Sequence, residues 1–353
     1  MIEKEDMEIT EDDLLQLYIV GYENKGESII LSIGNKFLGV IDCFKVGNKF
    51  KTKSIIKKLG IPIDFICWTH VDWDHTYGIS DLKEFFYEDT AIIMPEGLAS
   101  KNIRNLFFDA NSYQHREYQK IFNIIDDTED RNFISANENS EIYNFKFKYQ
   151  GQDIDFIMKS FSPLSKIVKE QNESSIKNLV EDIELDKDGN KVIGYEWYDN
   201  SNKYNNLFSI GLEVSVKFGN DNVRLCLTGD LDNETIERMD SKKINRIFSR
   251  NTILKIPHHG SKNASELLNF KYNNGIKYQY AITTSFKGKN FTLPNEEVLD
   301  EYKKYGKVFR TDVKKKKSYG IIKYSCPIVK DLYNLNKNLH KEIQVFGDAD
   351  EIN

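Results

Sequence analysis

The sequence predicts a layered α/β sandwich on three observations. Strand-like and helix-like segments alternate in two halves of the chain. Residues 63–68 show little alternation of apolar and polar side chains, as expected of a strand covered on both faces. Clusters of Asp and His follow directly on such apolar runs, where strands leave a sheet and sites are commonly built.

Taken in order, residues 15–22, 28–33 and 37–43 are short runs rich in β-branched and aromatic residues, separated by Gly and Asn turn signals. A short helix is expected over 53–59 and the buried strand at 63–68. Ser80 can cap a helix over 80–88 that places Leu82, Phe85 and Phe86 on one face, and 91–94 is the next strand. From 99 to about 205 the pattern loosens: helical periodicity over 99–125, an acidic loop over 126–140, strand character over 141–161. Residues 165–204 are charged and contain DKDGN, a hairpin turn between 183–185 and 192–197. Much of this stretch reads as insertion into a strand framework. Strands return at 207–218, 223–228, 252–256 and 278–284, with helices over 233–239 and 294–305. The run Lys314 to Lys317 is either a solvated loop or a phosphate-facing patch. One domain is expected over 1–325, with a C-terminal extension over 326–353.

The chain has 353 residues, enough for a sizeable core, and 40% hydrophobic and 12% aromatic residues argue against disorder. A net charge of −6 leaves no global basic surface, so nucleic-acid binding would need local patches. The start, MIEKEDMEITEDD, lacks the basic and apolar regions of a signal peptide, and no apolar run approaches a membrane span of roughly 20 residues. Cys43, Cys67, Cys226 and Cys326 form neither a CxxC pair nor a disulfide framework. A soluble cytoplasmic protein is the expectation, with no membrane partner.

Three islands carry chemistry. The stretch CWTHVDWDH places two of six histidines beside two aspartates, His70, Asp72, Asp74 and His75, immediately after the buried strand. Positions 70, 72 and 74 project alike if the segment stays extended. Two imidazoles and two carboxylates exceed the needs of one tetrahedral zinc, so two metals sharing ligands is the economical reading. The second island, LCLTGD, delivers Asp230 from a strand end, where a carboxylate can bridge two cations. The third, LKIPHHGS, presents His258 and His259 after another strand. An Asp after Gly is ordinarily a turn, and paired histidines ordinarily occupy surface. The combination, with four of six histidines at strand ends beside acids, points to a metal site.

These islands, in this order, resemble the metallo-β-lactamase fold and, more narrowly, the hydrolase domain of the ComEC competence proteins. VGYENKGESIIL at 20–31 is similar to that subfamily's opening V-G-Q-G-D-A-x-x-I, Val40-Ile41-Asp42 to its early strand ending in Asp, NNLFSIGL at 205–212 to its N-x-x-S-x-x-L element, and VLDEYKKYGKVFRTD at 298–312 to its closing helix, strand and T-D. The likeness spans roughly 14–98 and 142–318. It implies a four-layer αββα sandwich with an inserted charged region. It also implies two divalent ions, Zn²⁺ or Mn²⁺, with His70 and Asp72 on one, Asp74 and His75 on the other, and Asp230 between them. His258 or His259 completes the second site, with His258 favoured and its neighbour lining the pocket; Asp74 and His259 are the catalytic candidates. Asp42 is expected to orient a ligand histidine. Two departures stand out. The middle histidine of many such enzymes has only His115 as a candidate, and the subfamily's G-H-P-S is here Thr292-Leu293-Pro294-Asn295.

A cation pair of this kind lowers the pKa of water and stabilises a developing oxyanion, so hydrolysis needs no Ser or Cys nucleophile. Asp72 in place of a histidine favours Mn²⁺ over Zn²⁺ somewhat. The resemblance implies a phosphodiester, DNA foremost, with Lys101 to Arg104, Lys255, Lys262, Lys287 to Lys289 and Lys314 to Lys317 as phosphate contacts. Two other readings stand beside it: a hydrolase of a small phosphoester, such as a cyclic nucleotide or phosphorylcholine, and a non-catalytic subunit with a partner protein in a multi-protein cytoplasmic system.

Overall fold

The computed structural model describes residues 1–98, 113–170, 183–185, 191–193, 205–268, 276–288, 291–328 and 343–352, apart from positions 3, 24 and 220. Two large sheets face one another. The first has eight strands in the order β20 (Ile343–Gly347), β19 (Tyr319–Pro327), β2 (Leu14–Tyr22), β3 (Glu27–Ile33), β4 (Phe37–Ile41), β5 (Phe65–Cys67), β6 (Ala91–Pro95) and β7 (Phe133–Ala136). The second has nine, in the order β1 (Met7–Glu8), β8 (Glu141–Tyr149), β9 (Gln152–Ser162), β12 (Gly211–Phe218), β13 (Asp221–Leu227), β14 (Asn251–Lys255), β15 (Tyr278–Thr283), β18 (Lys307–Arg310) and β21 (Asp350–Ile352). Two hairpins stand apart: β10 (Ile183–Leu185) with β11 (Lys191–Ile193), and β16 (Phe286–Lys287) with β17 (Thr292–Leu293).

Three apolar layers make this a four-layer αββα sandwich. Between the sheets, Leu17, Leu31, Phe37 and Phe65 of the first meet Phe145, Phe156, Leu212 and Leu225 of the second. Phe37 alone lies within 5.0 to 5.8 Å of the rings of Phe65, Tyr143, Phe145 and Phe156. The first sheet's outer face, with Ile30, Val40 and Ile66, is covered by Ile56 of helix Lys51–Leu59 and by Tyr118 and Phe122 of helix Tyr113–Asp126. The second sheet's outer face, with Cys226, Leu254 and Ala281, is covered by helices Asn233–Arg238, Ser241–Phe248 and Glu296–Lys303. A buried strand such as β5 therefore shows no alternation, because both of its faces are covered. Gly39 lets β4 lie against β5, since a Cβ there would come within 1.9 Å of the Phe65 ring.

Several expectations change. The acidic loop over 126–140 contains β7, which pairs parallel to β6. Helix Ser241–Phe248 was not expected; Asp240 caps it through its carboxylate, and Ile244, Ile247 and Phe248 bury one face. The boundary at 325/326 falls inside β19. Beyond it, β20 extends the first sheet and β21 the second. The hairpin strands around DKDGN pair as expected, Ile183 opposite Ile193, while the turn itself, residues 99–112, 171–182 and 194–204, and the side chain of His115 lie outside the described residues. No helix among the described residues is long and apolar enough to cross a membrane.

Candidate metal centre

Parallel pairing sets where the site forms. Strands β4 and β5 run parallel, as do β13, β14 and β15, so each group releases its chain at one rim. Asp42 follows β4, the Thr69 to His75 segment follows β5, Asp230 follows β13, His258 and His259 follow β14, and Thr284 follows β15. The two rims meet. His75 Nε2 lies 3.4 Å from Asp230 Oδ1 and 3.5 Å from Asp74 Oδ2. His259 Nε2 lies 3.2 Å from Asp74 Oδ2 and 3.6 Å from Asp230 Oδ2. His70 Nε2 lies 3.4 Å from Asp72 Oδ2 and 4.0 Å from Asp230 Oδ2, and His258 Nε2 is 3.9 Å from that same oxygen. Asp230 faces all four histidines, His70, His75, His258 and His259, and His259 also crosses the rims to Asp74. Its own backbone is held where Asp230 N donates to Ser209 Oγ at 2.9 Å.

Donor counting fixes how the rings face. Asp42, a carboxylate, only accepts: from Thr69 N at 2.8 Å, from Thr69 Oγ1 at 2.6 Å, and from His75 Nδ1 at 2.7 Å. Thr69 has spent its one proton on Asp42, so its oxygen accepts from His70 Nδ1 at 2.9 Å. The same logic operates on the other rim. Thr284 Oγ1 donates to Glu27 Oε2 and accepts from His259 Nδ1 at 2.8 Å, while buried Lys255 Nζ lies 2.9 Å from Glu27 Oε2. All three imidazoles thus carry a proton on Nδ1 and turn an Nε2 lone pair toward the centre, the orientation a metal ligand needs.

The donor set fits a divalent cation. Among the described residues, the buried atoms His70 Nε2, His75 Nε2 and Asp230 Oδ1 have no hydrogen-bond partner. Leaving three such atoms unmade in one place is costly unless a cation takes them. Asp74, His75, Asp230 and His259 each offer an atom within 4.8 Å of the others, a two-nitrogen, two-oxygen set suited to a divalent metal ion. Asp42 also lies near His70 and His75, but its oxygens are occupied by three hydrogen bonds, so it orients these rings rather than binding metal.

Charge follows the geometry. Burial would push the Asp230 carboxyl up, yet the surrounding histidines His259, His75 and His258 hold it well below the ordinary carboxylate range. Burial pushes the Glu27 carboxyl up as well, and Lys255 first, then His259, overcome it and bring it down to about 2. For His258 burial lowers the pKa, and Asp230 only partly offsets this.

The order of the paired histidines differs from expectation. His259, not His258, joins Asp74 and His75, while His258 sits beside Asp230 with part of its ring exposed. The cause is the backbone. His258 (φ 44°) and His259 (φ 51°) both occupy the left-handed region, which costs non-glycine residues roughly 1–2 kcal/mol each. The tight turn swings His259 inward. His258→Gly is therefore expected to raise the thermal unfolding midpoint above that of His258→Ala, because the same side-chain contacts are lost in both while only Ala keeps the strained φ. Equal midpoints would show the turn to be unstrained.

Other corrections are local. Lys255, expected to face phosphate, is fully buried against Glu27. Lys262 pairs with Glu297 and Lys314 with Asp350, whereas Lys287 and Lys315 to Lys317 are exposed. Lys101, Arg104 and Lys289 lie outside the described residues. Leu293 is buried on β17, opposite Phe286. The relay through Glu27, Lys255 and Thr284 was not anticipated, although Glu27 falls in the segment matched to G-D-A and Lys255 precedes Pro257 by two residues. Gly26 belongs to the site too: a Cβ there would come within 2.2 Å of the Asp74 carbonyl oxygen.

Comparison with known proteins gives a limited result. No family model and no curated protein matches the chain. Solved structures similar to it include MEM-A1, a subclass B3 metallo-β-lactamase from a soil metagenome library, at 10% identity over 73% of this chain and 80% of that one, TM-score 0.33. SMB-1 bound to 2-mercaptoethanesulfonate is similar at 8% identity over 77% and 88%, TM-score 0.34. BJP-1, a subclass B3 enzyme of Bradyrhizobium japonicum, is similar at 13% identity over 74% and 81%, TM-score 0.32. The architecture described above rests on the chain's own sheets and layers, not on these likenesses.

Proposed function

We propose that this protein is a metal-dependent phosphodiesterase acting on DNA, of the kind its ComEC-like motifs suggest. One observation carries the hydrolase reading: three imidazoles, each held by a hydroxyl or carboxylate on its far side, turn Nε2 toward carboxylates that belong to the opposite rim. Divalent cations bound there supply Lewis-acid charge and make water a competent nucleophile near neutral pH. Asp74, His75, Asp230 and His259 would hold one cation, and His70, Asp72 and His258, which gather on the other side of Asp230, would hold a second. Asp42 and the Glu27–Lys255 pair keep the ring tautomers fixed, so that binding requires no rotamer search. The phosphodiester itself is favoured by the motif resemblance and by the lysines exposed near the rim.

The test is hydrolysis of bis(p-nitrophenyl) phosphate and of end-labelled DNA with Mn²⁺ or Zn²⁺, beside Asp74→Ala and Asp230→Ala. Turnover in the parent that is lost in both variants is the expected result. A metal-loaded parent that cleaves neither substrate would sink the phosphodiesterase reading and leave the non-catalytic one.

A further inference from the structure

We propose that Asn206 positions the ring of His258, and that its carboxamide must turn over before His258 can take a cation; this rests on the reading of His258 as a ligand of the second cation. Asn206 lies on a strap that joins three of the strand ends at the centre. The helical turn Asn205–Phe208 is anchored in both outer layers, Leu207 in the one outside the second sheet and Phe208 in the one outside the first. Ser209 N donates to Asn206 O at 3.0 Å and closes the turn. Ile210 N then donates to Thr69 O at 3.0 Å, and Ser209 Oγ accepts from Asp230 N at 2.9 Å. Asn206 makes the third tie, its Nδ2 lying 3.4 Å from His258 Nδ1.

This tie differs in kind from those of the other three rings. Asp42, Thr69 and Thr284 each present an oxygen that accepts from Nδ1 and leaves Nε2 as a lone pair. A carboxamide nitrogen can only donate. His258 Nδ1 is therefore the acceptor, and a neutral ring held this way carries its proton on Nε2, the atom that faces Asp230 Oδ2 at 3.9 Å. A protonated Nε2 has no lone pair to offer a metal.

The other end of the carboxamide supplies the remedy. Asn206 Oδ1 is buried and has no hydrogen-bond partner among the described residues. Half a turn about the last bond of the side chain exchanges oxygen and nitrogen within nearly the same volume. Oδ1 then accepts from His258 Nδ1. The ring gives up the proton on Nε2 and takes one at Nδ1 through solvent, so its charge is unchanged and Nε2 is free to bind. The half of the centre built from Asp74, His75, Asp230 and His259 needs no such step, because both of its rings already turn a lone pair inward. The two halves therefore fill in order, the His258 half second.

The experiment is a zinc titration of chelator-stripped protein, followed by calorimetry and by NMR of isotope-labelled histidine nitrogens, with His258→Gln to assign the His258 ring. In the parent, His258 Nδ1 is expected to be unprotonated before metal is added and protonated once the second equivalent binds. Asn206→Leu, which can neither donate nor accept, is expected to weaken the second binding step about 10–100-fold and to leave the first unchanged. Asn206→Asp, whose carboxylate only accepts, is expected to show His258 Nδ1 protonated from the start. Circular dichroism checks that each variant is folded. A protonated His258 Nδ1 in the stripped parent, or parent-like zinc binding by folded Asn206→Leu, would overturn the inference and leave the metal centre standing. A parent that takes up no zinc overturns the metal-centre reading and this inference with it.

Discussion

Asp230→Ala is expected to strip divalent cation from both halves of the centre, whereas Asp74→Ala empties one half and Asp72→Ala the other. The asymmetry follows from the contacts: Asp230 faces His70, His75, His258 and His259, while Asp72 faces His70 and Asp74 faces His75 and His259. Hydrolysis should fall on the order of 10³-fold, equivalent to ~4 kcal/mol of transition-state stabilisation. Metal content by mass spectrometry separates the three variants, and equal losses in all three would refute the shared role. Protons compete with the metal here. Burial works against a charge on His75, but Asp230, Asp74 and Asp42 outweigh it and raise its pKa well above 6.5; on His70 burial and then His75 oppose the charge, and Asp72 and Asp230 overcome both and raise it. Protein stripped by chelator therefore keeps these protons, and that contribution to stability is full below about pH 6.5 and lost as pH rises through the folded pKa. Metal uptake displaces the protons, so affinity rises with pH and calorimetry should detect proton release. At a thousandfold excess over Kd the metal adds about 4 kcal/mol of stability.

Lys255→Met is expected to cost about 3–5 kcal/mol, and Glu27→Gln a similar amount, because each leaves a buried partner uncompensated. The double variant should recover most of the loss, since it removes both charges together. Urea unfolding of the three proteins gives the coupling directly, and simple additivity would show that the pair is not electrostatically linked. The sign with pH is fixed by the depressed Glu27 carboxyl. Its folded value of about 2 lies below the ordinary 4.5, so its contribution is complete above about pH 4.5 and disappears as pH falls toward 2. The double variant should lack that acid limb. Glu27→Gln also weakens the acceptor of the Thr284 hydroxyl, loosening the His259 tautomer, and metal affinity should fall about 10–100-fold even where the fold survives.

Much of the site was legible in the sequence because strand ends announce themselves. His70, Asp72, Asp74, His75 and Asp230 each follow an apolar run, and a parallel sheet must release such residues at one rim. The order of His258 and His259 was not legible, since it depends on two left-handed φ values that adjacent identical residues cannot encode. Lys255 looked like a phosphate ligand because lysine usually is exposed; only the tertiary partner Glu27, 228 positions away, makes it a core residue. Helix Ser241–Phe248 did carry its signal, an Asp cap and apolar residues at i, i+3 and i+4, which the cluster of charges in SKKINR obscured. Strand β7 hid in the acidic stretch because only two of its four residues are large and apolar. The late strands β20 and β21 supply sheet edges, where weak alternation is tolerated.

The pairing of β2 with β19 has a consequence for biosynthesis. Tyr22 lies opposite Tyr319 and Leu14 opposite Pro327, so β2 waits for a partner made about 300 residues later. At typical translation rates of 5–20 residues per second, that interval is roughly 15–60 s. During it the nascent β2–β3–β4 meander exposes an unpaired edge that pairs readily with other chains. Yield in the cell should thus depend on what shields that edge on the ribosome, more than on the stability of the finished fold.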